Sequence, residues 1–281
     1  MCILGVDFTS APRPAKPITV AVGTLADATL VIERVERLVD FAGFDSLLRS
    51  PGPWVGGFDF PFGLPRELVT ALSWPRTWPD LVTHFASLDR ATVAGAFAGF
   101  RATRPPGAKY AHRAGDAASG AHSSMKLVNP PVAWMLHEGA PRLLDAGVHV
   151  PGLHDGDRQR VALEAYPGLA MRAVARQLGG KLARSYKNDS RRLQTPARRD
   201  ARAVLVDALV HGTHRCGVPL RIADGLRAAA IEDASGDTLD AIAACSQAAW
   251  GAMRSDSNFG LPDAVDPLEG WIVTAEDGFA A

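Results

Sequence analysis

ILGVDFTS, residues 3–10, combines a short apolar run with a single carboxylate near the start of the chain. Ile3, Leu4 and Val6 suit a strand buried on both faces, because continuous apolar runs of this length are typical of central strands. Asp7 then lies near the C-terminal end of that strand, where α/β sheets place their ligand sites. Asp7 could equally cap the turn that follows, as Asp often does. The ligand-site interpretation of Asp7 gains weight because later segments also place an acid at the end of a predicted element.

Length and composition bound the class of protein. The chain has 281 residues, of which 47% are hydrophobic and 21% charged, and its formal net charge is zero. These values are ordinary for a globular protein that buries a sizeable core. Zero net charge argues against a protein that coats nucleic acid constitutively, but it leaves room for a local basic groove. We therefore expect any nucleic-acid contact to be confined to one site.

The cysteines and the N-terminus indicate the compartment. Cys2, Cys216 and Cys245 are far apart and lack the spacing of a zinc site or a disulfide framework, which fits a reducing cytosol. The N-terminus has no signal-peptide pattern, and no apolar run approaches the roughly 18 residues that span a bilayer. We therefore expect a cytoplasmic protein without a membrane partner, and the oligomeric state stays open.

The first quarter of the chain predicts a sheet. Residues 18–23 and 29–32 are rich in β-branched side chains, and their short links favour an antiparallel meander with the first strand. A helix is expected over residues 38–48. A fourth strand over 54–60 follows that helix, so it should run parallel to the first strand, and it also ends in an acid, Asp59. Residues 64–72 favour another helix.

The remainder predicts an insertion followed by a return to the core. Residues 74–158 mix helical pieces with a polar, Gly- and Pro-containing run, and we interpret them as an insertion or cap on one domain that spans residues 1–281. Glu164 lies in an alternating segment typical of a strand. Helices are then expected from Pro167, from residues 195–196 and over about 237–253, and a short strand over 270–274.

Acids stand at comparable places in these elements. Asp7 and Asp59 end strands, and Asp240 lies on a helix face that is otherwise made of small residues, with Asp237 one turn earlier. Like charges gathered in a core repel and are poorly solvated, and a divalent cation removes that cost. Oxygen ligands without a His or Cys cluster favour Mg²⁺ or Mn²⁺ over zinc. Two such ions about 4 Å apart can activate water and orient a phosphodiester. The predicted catalytic and metal-binding acids are Asp7, Asp59, Glu164 and Asp240, with Asp237 as a supporting ligand.

The order of elements is similar to that of the ribonuclease-H-like fold. In that fold the first and fourth strands lie side by side and carry acids, and a late helix supplies another. The acids three residues apart on the late helix resemble those of the Holliday-junction resolvases. The resemblance implies a mixed sheet of three antiparallel strands followed by parallel ones.

Six short segments share a joint pattern: GVDFTS (5–10), GFDFPFGLP (57–65), EAYP (164–167), SYKND (185–189), GDTLDA (236–241) and EGWI (269–272). Together they resemble the landmarks of the family called domain of unknown function 429. That family is regarded as a predicted ribonuclease-H-like nuclease family, and Asp7, Asp59, Glu164 and Asp240 fall on its acidic positions. The resemblance spans most of the chain and implies a metal-dependent nuclease.

A basic run over residues 181–202 predicts contacts to substrate. Lys187, Arg191 and Arg192 are placed to bind phosphates, and Tyr186 to stack on a base. Most charge runs are instead solvated loops, and that interpretation stays open.

Two other functions remain alternatives. A phosphotransferase or ATPase of the actin and sugar-kinase type shares this core, but the glycine expected directly after Asp7 is missing and the chain is too short for a duplicated domain. A non-catalytic module that keeps the fold and binds nucleic acid or a partner is the other. Metal binding by the acids distinguishes this module from a nuclease.

Overall fold

A seven-stranded mixed sheet organises the described part of the chain. The computed structural model describes residues 1–179, 185–188 and 190–275, with the side chain of Arg191 outside that description. The strands are β1 (Cys2–Asp7), β2 (Ile18–Ala26), β3 (Thr29–Leu38), β4 (Trp54–Asp59), β5 (Val148–His149), β6 (Asp157–Glu164) and β7 (Leu220–Ile222). Their order across the sheet is β5-β6-β4-β1-β2-β3-β7. The first three strands are antiparallel, and β4, β5, β6 and β7 each pair in parallel with a neighbour.

Helices cover both faces of this sheet. The early helices are α1 (Phe41–Leu48), α2 (Arg66–Ala71), α3 (Trp78–Ser87), α4 (Arg90–Ala102), α5 (Ala114–Ser119) and α6 (Val132–Asp145). The later ones are α7 (Pro167–Gln177), α8 (Pro196–Val210), α9 (Asp224–Glu232) and α10 (Asp237–Ala252), with 3-10 turns over Arg191–Leu193 and Ser255–Gly260. None of these described helices has both the length and the apolar composition that a bilayer span requires.

The alternation of side chains along β1 separates two cores. Leu4 and Val6 face a core shared with helices α1 and α3 and with other parts of residues 74–158, and we call this side the insertion face. Ile3 faces a core built with α7, α8 and α10, which we call the α10 face. A β-strand turns successive side chains to opposite faces, so Asp7 shares the α10 face with Ile3 and Gly5.

Helix α10 lies unusually close to the sheet, as its small-residue face predicts. A Cβ atom added to Gly5 would lie 2.1 Å from the carbonyl oxygen of Ala241, and one added to Gly57 would lie 2.4 Å from that of Ala244. Only glycine permits this backbone approach on β1 and β4. The consequence for function is that the first turn of α10 is held against the ends of these two strands.

Several sequence-based boundaries differ from the structure. Residues 270–274 form a single parallel bridge, between Ile272 and Glu164, rather than the expected strand. Strands β5 and β7 were not expected, because at two and three residues they are too short to show a periodic pattern. Strand β3 extends to Leu38, so helix α1 begins three residues later than the pattern indicated.

Candidate active site at the ends of β1 and β4

Two acids lie side by side at the C-terminal edge of the sheet. Asp7 pairs in register with Asp59 across the parallel β1–β4 ladder. Both follow a glycine by two residues, Gly5 and Gly57, that contacts α10. The period of two therefore directs both carboxylates toward the α10 face.

The first turn of α10 brings two more acids to the same place. Asp237 is 5% exposed and Asp240 is fully buried. Both lie in the first turn, where the partial positive charge of a helix N-terminus favours carboxylates. The helix begins at Gly236, whose φ of 80° favours glycine. We call Asp7, Asp59, Asp237 and Asp240 the acid cluster.

The members of the acid cluster repel one another strongly. Burial raises the pKa of Asp7 well above its usual range, and the charges of Asp240 and Asp237 raise it further. Burial and Asp240 together raise the pKa of Asp59 to about 7. Asp240 is the strongest single charge acting on both strand-end acids. The structure therefore brings Asp7, Asp59 and Asp240 close enough for their charges to interact, and their catalytic and metal-binding roles stay a prediction.

Lysines contact the two helix acids. Lys187 Nζ donates to Asp240 Oδ2, and the Tyr186 hydroxyl donates to Asp240 Oδ1 at 2.5 Å. Lys16 Nζ donates to both oxygens of Asp237, at 2.8 and 3.0 Å. Burial alone would lower the pKa of Lys187, but the nearby charge of Asp240 holds it well above its usual range. Asp237 and Asp240 are thus balanced in part by cations of the chain itself.

Asp7 and Asp59 have no such direct partner. Among the described residues, neither carboxylate accepts a hydrogen bond, and the only cation that lowers their pKa values is Lys187, which already binds Asp240. Thr19 lies directly opposite Asp7 in the antiparallel β1–β2 register, so the two side chains share a face. Its hydroxyl is fully buried and has no hydrogen-bond partner among the described residues. The carboxylates of Asp7 and Asp59 and the hydroxyl of Thr19 are therefore oxygen groups without a hydrogen-bond partner among the described residues.

Glu164 lies on the other face of the sheet. It pairs in register with Phe58, which packs on the insertion face, whereas Asp59 faces α10. Arg113 donates to both of its oxygens, at 2.6 and 2.8 Å, and the Phe62 N–H donates to Oε2 at 2.9 Å. Burial raises the pKa of Glu164, and the Arg113 guanidinium opposes that shift.

Arg113 is completely occupied. All five of its side-chain N–H groups have acceptors: Asp116, Glu164 and the carbonyl of Glu269. The Glu269 carboxylate in turn accepts from the backbone N–H groups of Arg66 and Ala114, at 2.8 Å each. We call Arg113, Asp116, Glu164 and Glu269 the Arg113 network. It ties α5 to the turn after β4 and to the end of β6.

A cleft of about 580 Å³ opens beside these groups. Asp59, Glu164 and Asp240 line one end of it, together with Tyr186 and Lys187. Much of the remaining lining comes from the 121–135 segment and from helices α7 and α8, and His122 and Arg172 are the polar members of that part. We call this part the apolar end, after its apolar side chains: Pro130, Val132, Met135, Pro167, Met171, Ala175, Ala201 and Leu205. The cleft therefore joins a charged end to an apolar end.

Of the described side chains predicted to contact substrate, only Tyr186 and Lys187 are among the residues that line the cleft. Both are bonded to Asp240 rather than directed to solvent. Arg192 is exposed and is not among the residues that line the cleft. The side chain of Arg191 lies outside the described residues. Contacts of all four to a substrate stay a prediction.

The donor chemistry of the acid cluster fits a hard divalent cation. Carboxylate and hydroxyl oxygens are the ligands that Mg²⁺ and Mn²⁺ prefer, and the raised pKa values mark a place where positive charge is missing. The described side chains do not form a group of three or more acidic, His or Cys ligands in position to hold a metal. Lys187 Nζ contacts Asp240 Oδ2, so a metal ion could bind that oxygen only if this lysine moves.

Sequence reasoning missed the partners of the acids more than the acids themselves. Arg113 lies in an irregular, polar part of the sequence, and nothing in the order of residues connects it to Glu164, 51 residues away. The sequence marks Thr19 only as part of a strand, and its place opposite Asp7 depends on the β1–β2 register. The alternation around Glu164 was visible, but which face it points to depends on the register with β4.

Comparison with known proteins gives a family and no characterised relative. The family model described as "Protein of unknown function (DUF429)" matches residues 5–263. The search of curated proteins returned no match, and neither did the search of solved structures.

Proposed function

The chain belongs to the DUF429 family of proteins of unknown function, and we propose that it is a metal-dependent nuclease that hydrolyses phosphodiester bonds in nucleic acid. The acid cluster would hold Mg²⁺ or Mn²⁺. The observation that carries this proposal is the uncompensated charge on Asp7 and Asp59. Their pKa values are raised by burial and by Asp240, and among the described residues neither has a hydrogen-bond donor of its own.

The topology supports a ribonuclease-H-like fold as part of the proposal. Strands β1, β2 and β3 form an antiparallel meander, β4 lies parallel to β1, and α10 packs across the ends of both. Acids at the ends of adjacent strands and on the first turn of a late helix are the arrangement that the fold implies. Asp7 and Asp59 lie at the C-terminal ends of their strands, where α/β sheets commonly bind ligands, and this supports the proposal.

We assign the ligand roles by sheet face. Asp7, Asp59 and Asp240 would hold the cation on the α10 face, with Asp237 in support. Glu164, predicted from sequence as a further ligand, accepts hydrogen bonds from Arg113 on both of its oxygens, and its direct role in metal binding stays a prediction. A divalent cation at such a site supplies Lewis acidity at a phosphoryl oxygen and lowers the pKa of water.

The direct test removes the carboxylate of Asp7, at the end of β1. We expect Asp7→Asn to abolish Mn²⁺-dependent cleavage of single-stranded DNA and RNA and to abolish the Mn²⁺-induced rise in melting temperature. The substitution removes a buried like charge, so the metal-free variant should remain folded with unchanged or higher stability. Asp263→Asn, at an exposed acid, is the matched control and should behave as the wild type. Normal cleavage by Asp7→Asn would exclude the assignment.

One observation favours a second function, a non-catalytic binding module. Lys187 and Lys16 neutralise Asp240 and Asp237 from within the chain, as expected of a fold that has no cation to bind. Calorimetric titration with Mn²⁺ separates the two proposals. Binding that requires Asp7 supports the nuclease, whereas no binding at millimolar Mn²⁺ supports the module.

A further inference from the structure

The cleft has the size and polarity of a site for one nucleotide unit. Its volume of about 580 Å³ lies within the 300–1,000 Å³ of typical small-ligand sites. Only its acidic end is needed for phosphodiester hydrolysis. The apolar end between α7 and the 121–135 segment has no role in the proposed function, so its occupant is a separate question.

We propose that the apolar end receives the unpaired base of the nucleotide whose phosphodiester is cleaved, so that the substrate is single-stranded nucleic acid or a nucleotide ester rather than a duplex. This inference rests on the proposed function and names its substrate. A base inside a duplex is stacked and paired, and enzymes that enclose a base act on single strands or extrude it.

Hydrogen bonds hold the side chains of Tyr166 and Arg172 in the lining of the cleft. Arg172 stacks its guanidinium over the Tyr166 ring at 5.0 Å from the centroid and donates to the Tyr166 hydroxyl at 2.9 Å. It also donates to the Ser119 carbonyl at 2.6 Å, which links α7 to α5. The Tyr166 N–H donates to Gln247 Oε1 at 3.0 Å, so the start of α7 is fixed to α10. Aromatic rings and guanidinium planes are the surfaces on which proteins stack unpaired bases.

The remaining side chains of the apolar end suit a flat apolar group. Pro130, Val132 and Met135 come from the insertion, and Met171 and Ala175 lie one helical turn apart on α7. Unbranched thioether chains adapt to ligands of different outline, which fits a site that accepts more than one base.

One ammonium group at the acidic end is placed to contact a phosphodiester. Lys187 lies beside Asp240 and lines the cleft. The guanidinium of Arg113 lines it too, but all of its donors are taken by the Arg113 network. Lys187 is therefore the ammonium group that a phosphate could attract away from the acids when a cation takes its place.

Two chromogenic phosphodiesters that release the same leaving group, p-nitrophenol, test the inference. Thymidine 5′-p-nitrophenyl phosphate carries a nucleoside, and methyl p-nitrophenyl phosphate carries none. With Mn²⁺, we expect kcat/KM for the nucleoside ester to exceed that for the methyl ester by at least about tenfold, the scale of one stacked base. We also expect a single-stranded oligothymidylate to compete with the nucleoside ester and a blunt duplex of equal length to compete at least about tenfold less.

Filling the apolar end provides the matched variants. Ala175→Phe places a ring in the cleft and should lower the ratio of kcat/KM for the two esters to near one. Ala173→Phe, two residues earlier on the same helix and outside the cleft lining, should keep the wild-type ratio. Thermal unfolding of both variants confirms that α7 is intact.

The outcomes separate this inference from the proposed function. Hydrolysis of both esters at equal kcat/KM, or equal competition by duplex, would overturn the base site and leave the hydrolase. If neither ester is hydrolysed, the proposed function fails, and the base site is then decided by the thermal shift that thymidine 5′-monophosphate gives. A shift in the wild type that is lost in Ala175→Phe supports the site, and no shift in either overturns it.

Discussion

The two faces of the sheet treat buried acids in opposite ways. On the insertion face, Asp116, Glu164 and Glu269 share one guanidinium with all its donors used, and four backbone N–H groups complete their contacts. On the α10 face, four acids have two ammonium groups and one phenol among the described residues, all directed at the helix acids. Asp7 and Asp59 are left with neighbours of the same charge.

The difference indicates which acids hold the fold and which are available for chemistry. A buried carboxylate that accepts several hydrogen bonds and faces a guanidinium is stable as it stands. A buried carboxylate that faces other carboxylates is stable only when protonated or when a cation is added, and such perturbed groups gather at functional sites. The predictions below test whether the Arg113 network is structural and the acid cluster functional.

The largest effect is expected from breaking the Arg113 network. Arg113→Met leaves Asp116 and Glu164 buried without their cation, and removing one partner of a buried ion pair typically costs about 3–5 kcal/mol of stability. Urea unfolding at pH 7 measures this loss. Adding Glu164→Gln to Arg113→Met should recover part of it, because one unpaired charge is removed. Arg199→Met, which breaks an exposed pair with Glu232, should leave the midpoint unchanged. A stable Arg113→Met protein would mean that the network is not what holds α5 to the core.

The next effect concerns pH. The pKa of Asp59 is about 7 in the folded protein, above its value near 3.9 in the unfolded chain, so the folded state binds more protons between these limits. Stability of the metal-free protein should therefore be highest below about pH 4 as far as this group is concerned. It should fall as pH rises toward 7, by about 4 kcal/mol, since each unit of pKa difference corresponds to about 1.4 kcal/mol. Asp7 shifts in the same direction and adds to the fall.

Asp59→Asn isolates this contribution. The difference in unfolding free energy between wild type and variant, measured in chelator from pH 5 to pH 8, should move in favour of the variant as pH rises. Asp263→Asn should show no such trend, since its carboxylate is exposed. Parallel curves for wild type and Asp59→Asn would show that Asp59 is ionised at little cost, and the case for a missing cation would weaken.

How far the sequence predicts the site depends on which face is considered. The strands that carry Asp7 and Asp59, and the small face of α10 that carries Asp240, follow from local patterns: apolar runs that end in an acid, and alanines at helical spacing. The parallel pairing of β1 with β4 is expected because a helix precedes β4 in the sequence. These patterns are properties of single elements, so they are visible in the order of residues.

The other half of the site depends on contacts between distant segments. Glu164 lies on the insertion face although it lines the cleft beside Asp59, because its register partner is Phe58 rather than Asp59, and register is set by pairing across β4 and β6. Arg113 is selected from the cations of the insertion by a contact over 51 residues. Lys187 reaches Asp240 over 53 residues, from a run whose charges otherwise predict only a basic surface.

The smallest effects are expected at the two lysines that contact the helix acids, Lys187 and Lys16. Lys187 partly balances Asp7 and Asp59 as well as Asp240, so Lys187→Met should lower the stability of the metal-free protein by about 1 kcal/mol, a modest loss because its side chain is 40% exposed. The same ammonium occupies an oxygen that a cation would need. Removing it should therefore strengthen Mn²⁺ binding, and the rise in melting temperature with Mn²⁺ should be larger than in the wild type. Lys16→Met, beside the supporting acid Asp237, should give a smaller change of the same sign. If Lys187→Met binds Mn²⁺ more weakly than the wild type, the lysine orders the acids rather than competing for them, and the α10 face would then resemble the insertion face after all.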